Sequence, residues 1–283
     1  MGPRYTDSHV HFWDTALRPY PWLAEVPAIA GAHGPGDLER ESAPDTPERV
    51  VFVQADCSRP HAADEVAWVE SMGAVGPRVA GIVAFAAMDR GAATEADLKA
   101  LSQRPLVKGV RHLIQGERDP RFCLSKAFMD GVRTCGERGL TFDLCVRHFQ
   151  LEAVVALVRG CPGTTFVLDH AGKPDLATPS LDPWRAHIRD LSLLPNTLCK
   201  LSGIVTEAGG APLDGERFQP VVGHLLETFG PGRLLFGSDW PVVKLACAYP
   251  RWLSLARQLL SHLPASEQDA IFHSNAGRVY RLS

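Results

Sequence analysis

The sequence lacks the features that mark several large classes of protein. It contains no Cys-x-x-Cys pair, and its seven cysteines include several in apolar contexts such as FDLCV and TLCKL. We therefore expect reduced core cysteines in a cytoplasmic protein, and neither a disulfide framework nor a zinc ribbon. No apolar run is long enough to cross a bilayer, so no membrane partner is expected.

Signatures of nucleic-acid binding and of covalent catalysis are missing as well. Lysine and arginine number 29 against 32 acidic residues, and no basic run stands out, so no nucleic-acid partner is expected. There is no Gly-x-Ser-x-Gly motif, which disfavours a serine nucleophile. The stretch GAHGPG follows no strand pattern and is expected to be a loop, not a dinucleotide fingerprint. Small polar or neutral ligands remain open.

The sequence does contain a repeated alternation of short apolar runs and amphipathic segments. Runs of this kind are typical of buried parallel strands, and the segments between them have the apolar spacing of helices. The pattern predicts an α/β fold, a (β/α)₈ TIM barrel formed by one domain over residues 1–283, with an open doubly wound sheet as the competing topology. The Pro- and Gly-rich residues 15–47 are expected to form a long loop over the barrel mouth. The predicted strands lie at residues 4–11, 49–56, 78–85, 105–112, 140–147, 164–170, 196–203 and 233–239.

Histidines and a carboxylate occur at the carboxyl ends of these strands, where barrel enzymes build their active sites. His9 and His11 are two residues apart on strand one, so their side chains share one face. Two imidazoles on one face can bind a divalent metal ion, and His170 and Asp239 would converge on it from strands six and eight. Hydrogen-bonded packing in the core is the alternative interpretation of the histidine pair.

Further polar and aromatic residues at the strand ends are candidates for substrate contact. Structural roles compete with this interpretation: a rim salt bridge for Arg111, an Asp143–Arg147 ion pair, or core packing for tryptophan. Asp169 precedes His170 and is expected to point away from it in a structural role. The candidate substrate-binding residues are Arg111, His112, Gln54, Asp143, Arg147, Lys200, Trp13 and Trp240.

The motifs DSHVHFWD, VQAD, GVRH, LDHAGKP, KLSG and FGSDWPV, in this order, resemble the amidohydrolase superfamily. Within it they are similar to the sugar-lactone hydrolases, a branch that includes L-fuconolactonase, L-rhamnonolactonase and 2-pyrone-4,6-dicarboxylate lactonase. The resemblance runs from Asp7 to about Leu282. It implies a barrel that opens cyclic esters with water, with or without zinc. One departure is Gln150, which stands where the branch often has a histidine after strand five.

The expected activity is hydrolysis of a small sugar-acid lactone, such as L-fucono- or L-rhamnonolactone, by an activated water. Asp239 would act as the base, and His9, His11 and His170 would complete the catalytic set. With Asp239 they would hold a divalent metal, preferably Zn²⁺, although metal-independent hydrolysis remains an alternative. The rival functions are decarboxylation of a small carboxylic acid and metabolite binding without turnover. The sequence leaves the oligomeric state, the sugar and the ring size open.

Overall fold

The computed structural model describes residues 4–73, 76–178, 180–210 and 212–283. Its main sheet has eight strands in the order β1-β4-β5-β6-β7-β8-β9-β10, and every pair along it is parallel. The predicted single-domain TIM barrel is therefore confirmed, with all eight strand positions. The strands are β1 Thr6–Val10, β2 Trp13–Asp14, β3 Ala32–His33, β4 Arg49–Val53, β5 Arg78–Phe85, β6 Val107–Arg111, β7 Thr141–Leu144, β8 Phe166–Leu168, β9 Thr197–Leu201 and β10 Leu234–Phe236.

The barrel closes where the first and last strands meet. Val10 pairs in parallel with Trp240 through an isolated bridge beyond the end of β10. The amide of Asp239 donates to the carbonyl of His9 at 2.9 Å, and the amide of His11 donates to the carbonyl of Trp240 at 2.8 Å. Closure therefore places the end of β1 and the segment after β10 side by side.

Helices surround the barrel, and the longer ones bury one face each. In α5 the buried positions include Leu151, Val154, Val155 and Val158, which is the three-and-four spacing of an amphipathic helix. The helices are α1 Pro35–Ser42, α2 Ala62–Glu70, α3 Ala92–Ser102, α4 Lys126–Glu137, α5 Leu151–Gly160, α6 Trp184–Ser192, α7 Gly215–Phe229, α8 Tyr249–Leu259, α9 Ala265–Asp269 and α10 Asn275–Val279, with a π-helical turn at Ala270–Ser274.

The segment over residues 15–47 is more ordered than the predicted loop. It contains short 3₁₀ turns at Pro21–Ala24 and Pro27–Ile29, the strand β3 paired antiparallel with β2, and α1. The prediction of a loop at GAHGPG was wrong because Pro35 suits the first turn of a helix and the Asp37 carboxylate accepts from the Gly34 amide at 2.9 Å. An N-terminal capping arrangement therefore starts a helix inside that stretch.

The end of the barrel opposite the carboxyl ends of the strands is packed with apolar side chains. Inward-facing residues of several strands form a cluster with Ala276 and Tyr280 from the C-terminal segment. This apolar cluster fills the barrel interior below the carboxyl ends of the strands. Among the described residues, the structure contains no helix of the length and apolarity that a membrane crossing requires. The strand residues of the cluster are Val51, Val53, Val83, Val167, Leu198 and Leu235.

Candidate active site

Three imidazoles and one carboxylate meet at the top of the barrel. The Nε2 atoms of His9 and His11 are 3.2 Å apart. Oδ1 of Asp239 lies 3.2 Å from Nε2 of His11, 3.6 Å from Nε2 of His9 and 4.0 Å from Nε2 of His170. None of the four residues is more than 5 % exposed. We call these four residues the His–Asp cluster.

Local backbone geometry aims two members of the cluster inward. His170 has φ 54° and Asp239 has φ 62°, so both occupy the left-handed region that non-glycine residues rarely adopt. His170 lies two residues beyond the end of β8, and Asp239 lies three residues beyond the end of β10. The chain therefore leaves the strand in a tight turn, and the side chains point across the barrel mouth.

Hydrogen bonds fix which ring nitrogens of the cluster face one another. Nδ1 of His11 donates to the carbonyl of Val53 at 2.7 Å, so its Nε2 is the nitrogen that faces the cluster. Nδ1 of His9 lies 3.1 Å from Lys200 Nζ and 3.3 Å from the Asp169 carboxylate. Nδ1 of His170 lies 2.9 Å from the Ser202 hydroxyl. The Nε2 atoms consequently point toward the Asp239 carboxylate.

Burial sets the charge of the cluster. Desolvation lowers the pKa of His170 to about 4 and holds the pKa of His9 well below its ordinary value, so both rings are neutral at neutral pH. Burial acts to raise the pKa of Asp239, but the imidazoles of His170, His11 and His9 outweigh it and hold the pKa below its usual range. The cluster thus combines the neutral imidazoles of His9 and His170 with an ionised carboxylate.

This donor set fits a divalent metal ion. Neutral imidazole and carboxylate are ligands that Zn²⁺ prefers, and bonds of about 2.0–2.1 Å place tetrahedral ligand atoms about 3.3 Å apart. Three of the measured separations, 3.2, 3.2 and 3.6 Å, are close to that value. The Asp169 carboxylate beside Nδ1 of His9 is the partner that metal-binding histidines commonly have on their other nitrogen. His9, His11, His170 and Asp239 could therefore hold such an ion.

A buried charge network lies directly beneath the cluster. Lys200 Nζ is 2.6 Å from the Asp143 carboxylate and 2.9 Å from Asp169, and Arg111 is 3.0 Å from Asp169. Tyr280 donates its hydroxyl to Asp143 at 2.8 Å. Burial lowers the pKa of Lys200, but the two carboxylates outweigh it and raise that pKa, so the lysine stays charged. Two cations therefore neutralise two anions within the barrel.

The network changes the placement expected for three residues. Asp143 and Lys200 are fully buried below the cavity, so neither has a surface on it for substrate, and Asp143 pairs with Lys200 and not with Arg147. Asp169 does not point away from the site, because the left-handed turn at His170 ends the strand alternation there. It reaches into the barrel and contacts both Arg111 and His9.

A cavity of about 410 Å³ opens above the cluster. That volume suits a ligand the size of one sugar ring. Arg111 and Arg147, two of the predicted substrate-binding residues, line it together with members of the cluster. The cavity is also lined by residues that were not selected from the sequence: Trp22, Glu25, Asp56, Gln115, Cys145 and Lys173.

Sequence patterns point only weakly to these additional cavity-lining residues. Asp56 follows strand β4 in the motif VQAD, and Lys173 follows strand β8 in the motif HAGKP. This position after a strand is the only sequence feature that points to a place in the site. Trp22 lies in the long segment after β1, where no periodic pattern places a side chain. These three reach the cavity through loop conformations, and loop conformations are poorly encoded in local sequence patterns.

The other predicted substrate-binding residues lie outside the cavity lining. His112 is enclosed by Phe85, Phe122 and Phe128, and its Nδ1 accepts from the Met88 amide at 3.2 Å.

Trp13 and Trp240 are fully buried and donate their indole N–H groups to Ile29 and Glu41. Their large apolar rings pack under the segment that crosses the barrel mouth.

Gln54 and Gln150 brace loops near the site. Gln54 Oε1 accepts from the Asp56 amide at 2.7 Å, and the Gln54 carbonyl accepts from Arg111 at 2.6 Å. Gln150 accepts from the Arg147 amide and donates to the Ile114 carbonyl, both at 2.9 Å. At the position where the resemblance led us to expect a histidine, this chain therefore uses an amide that ties two loops together.

Comparisons with known proteins agree with this architecture. A family model described as amidohydrolase matches residues 6–282. The chain is 35 % identical to an L-fucono-1,5-lactonase of Burkholderia multivorans, over all of this chain and 97 % of that protein. It is 27 % identical to an L-rhamnono-gamma-lactonase of Scheffersomyces stipitis, over 71 % of this chain and 68 % of that protein.

Solved structures give the same result. A crystal structure of an amidohydrolase from Burkholderia multivorans with bound zinc superposes with a TM-score of 0.89 at 34 % identity, covering 99 % of this chain and all of that one. The chain belongs to the amidohydrolase family.

Proposed function

We propose that this protein is a carboxylic-ester hydrolase that opens a small sugar-acid lactone, such as L-fucono- or L-rhamnonolactone, with water as the nucleophile. The observation that carries the proposal is the convergence of the His–Asp cluster on one cavity of sugar size. The similarity to lactonases along the whole chain supports the same reaction class.

Each group of the cluster has a place in the proposed chemistry. Asp239, ionised and 3.2 Å from His11, accepts the proton of the attacking water and then delivers it to the oxygen that leaves the opened ring. His9, His11 and His170 with Asp239 would hold the metal ion, for which we propose Zn²⁺. A divalent cation there would polarise the carbonyl and lower the pKa of water toward about 7.

The reaction balances with water as the co-reactant. The water oxygen bonds to the carbonyl carbon, the ring C–O bond breaks, and the hydroxy acid that forms releases a proton near neutral pH. Arg111 lines the cavity and is fixed by Asp169 and by the Gln54 carbonyl, so it can stabilise the developing oxyanion without reorganising. We assign Arg147, on the same lining, to contact with substrate hydroxyls.

We also propose that the protein works in the cytoplasm as one barrel domain. All seven cysteines are unpaired and six are buried, which suits a reducing compartment. The domain would span residues 1–283, of which residues 1–3, 74–75, 179 and 211 lie outside the described part.

Proton release from a panel of aldonolactones in weakly buffered indicator tests the function. We expect rapid acidification with one or two stereoisomers of the 1,4- or 1,5-lactones in the presence of zinc. Asp239→Asn should lower kcat by about 100-fold or more because it removes the general base. A flat trace with every lactone, or wild-type turnover by Asp239→Asn, would overturn the proposal; carbon dioxide release from small aromatic acids would point to decarboxylation instead.

A further inference from the structure

Left-handed backbone geometry marks two cavity residues, Asp56 and Lys173, that the mechanism above leaves without a role. Non-glycine residues in this region are strained and cluster where function requires an unusual direction of a side chain. Four of the cavity-lining residues adopt it, and two of them belong to the His–Asp cluster. The four, with their φ angles, are Asp56 (55°), His170 (54°), Lys173 (50°) and Asp239 (62°).

The segment that carries Asp56 is held in place at each residue. The Asp56 amide donates to the Gln54 side chain at 2.7 Å, which stabilises the left-handed turn. The Ala55 carbonyl accepts from the indole N–H of Trp22 at 2.8 Å, and the Ala55 amide donates to Glu65 at 3.3 Å. The Trp22 ring and the Asp56 carboxylate therefore form one rigid wall of the cavity.

Asp56 differs from Arg111 and Lys173 in its lack of a side-chain partner among the described residues. Arg111 is paired with Asp169 at 3.0 Å, and Lys173 donates to Gln115 at 2.6 Å. The Asp56 carboxylate makes no hydrogen bond or close ion pair with any residue in the described ranges. Its oxygens are available to accept hydrogen bonds from a ligand.

We propose that Asp56 and Trp22 form a sugar-recognition wall: the carboxylate accepts hydrogen bonds from ring hydroxyls of the substrate, and the indole packs against its C–H face. This inference rests on the proposed lactone hydrolysis and specifies its substrate class. The wall favours neutral polyhydroxylated lactones, because their hydroxyls satisfy the carboxylate. It disfavours lactones that carry an additional carboxylate, because like charges repel across the cavity.

The test compares Asp56→Gly and Asp56→Asn with the wild type on three lactones. Glycine accepts the left-handed backbone without strain, and asparagine keeps the shape while it removes the charge. The lactones are the best aldonolactone of the panel, unsubstituted δ-valerolactone and a carboxylate-bearing lactone. We expect Asp56→Gly to lower kcat/KM for the aldonolactone about 10- to 100-fold, through a higher KM, as loss of one charged hydrogen bond predicts.

The other two lactones separate recognition from structure. With δ-valerolactone, which has no hydroxyls, Asp56→Gly and Asp56→Asn should stay within about 3-fold of the wild type, below the cost of one such bond. In both Asp56 variants, kcat/KM for the carboxylate-bearing lactone should rise relative to kcat/KM for the aldonolactone. Trp22→Ala should lower kcat/KM for the aldonolactone more than Trp22→Phe does, since phenylalanine retains a ring.

Asp64→Asn is the matched control, because Asp64 lies on the helix after the same strand with its side chain 71 % exposed. It should leave all three activities unchanged. Equal losses on aldonolactone and δ-valerolactone would assign Asp56 a structural role and overturn the wall, as would no loss at all. If the wild type opens no lactone, the proposed function fails first and the wall falls with it.

Discussion

At the scale of single residues, the direction of a side chain depends on whether the in–out alternation of the strand continues as far as that residue. Arg111 and His112 are neighbours at the end of β6 and point in opposite directions, as alternation requires. Asp169 and His170 are also neighbours, yet both face the barrel interior because the chain turns left-handed at His170. Alternation therefore identifies the inward residue at the end of β6 and fails to identify Asp169 as inward after β8.

Glu65 is a buried acid behind the wall of the cavity. It is fully buried in α2 and accepts from the Ala55 amide at 3.3 Å. Burial raises its pKa from 4.5 to about 7, although Ala55, Tyr20 and Arg18 act in the opposite direction. The folded protein therefore retains a proton on Glu65 at a pH where the unfolded chain has released it.

This shift predicts a pH-dependent effect of Glu65→Gln on stability. Because the folded pKa lies above the unfolded one, the protonated acid favours folding at low pH, and that contribution is lost as the pH rises from 4.5 through about 7. Relative to the wild type, Glu65→Gln should gain about 3 kcal/mol in the free energy of unfolding between pH 4.5 and pH 8. Urea unfolding at several pH values measures the difference.

Other titrating groups cancel from the comparison, since both proteins contain them. A constant difference between the two proteins at every pH would contradict the raised pKa. Activity should change little at pH 8, because Glu65 does not line the cavity.

At the scale of elements, the site depends on loops that approach each other with no room for a side chain. Gly203, just after β9, has φ 62°, and a Cβ atom there would lie 2.5 Å from Nδ1 of His170. Gly237, just after β10, would bring a Cβ within 2.8 Å of the His9 Cβ. Because these two positions lack a side chain, neighbouring backbone segments can come close enough to hold two histidines of the cluster in place.

Gly203→Ala should therefore displace the His170 ring. The methyl group overlaps the imidazole, and the ring can only yield by leaving the other three residues of the His–Asp cluster. We expect a loss of about 10-fold or more in zinc affinity and in kcat, with the barrel still folded. Equilibrium dialysis measures the zinc affinity, the lactone assay measures kcat, and circular dichroism checks that the barrel is folded.

Gly139→Ala is the matched control for this variant. Gly139 also has a left-handed φ, 70°, but a Cβ atom added there would meet nothing within 4 Å. It therefore carries only the backbone cost of about 1–2 kcal/mol. If both variants lose zinc to the same degree, the ring clash at Gly203 is not the cause.

At the scale of the whole molecule, barrel closure assembles the site. His9 and His11 lie near the beginning of the chain and Asp239 near its end, and they meet because the segment after β10 pairs with the end of β1. His170 arrives from the loop after β8. A ligand that bridges these segments must favour the closed barrel over the unfolded chain.

Zinc should consequently raise the thermal midpoint of the metal-free protein. At a zinc concentration 100 times Kd, the stabilisation is about 2.7 kcal/mol, which corresponds to a rise of several degrees. Differential scanning calorimetry with and without zinc measures this shift. The shift should be lost in His170→Ala and retained in His262→Ala, because His262 is exposed and lies apart from the cluster. A midpoint that is independent of zinc in the wild type would argue against a metal site.

The sequence by itself determined the barrel, because burial on both faces makes each parallel strand a continuous apolar run and leaves polar residues at its end. It also brought forward all four residues of the His–Asp cluster, since His9 and His11 share a face and His170 and Asp239 terminate strands. Only the tertiary structure decided which other polar residues face the cavity. Asp143 and Lys200 form a buried ion pair and do not reach the cavity. Asp56 reaches it through a left-handed turn, and Trp22 reaches it from a long loop segment. Contacts between residues distant in sequence set those outcomes, and such contacts leave no local periodic pattern.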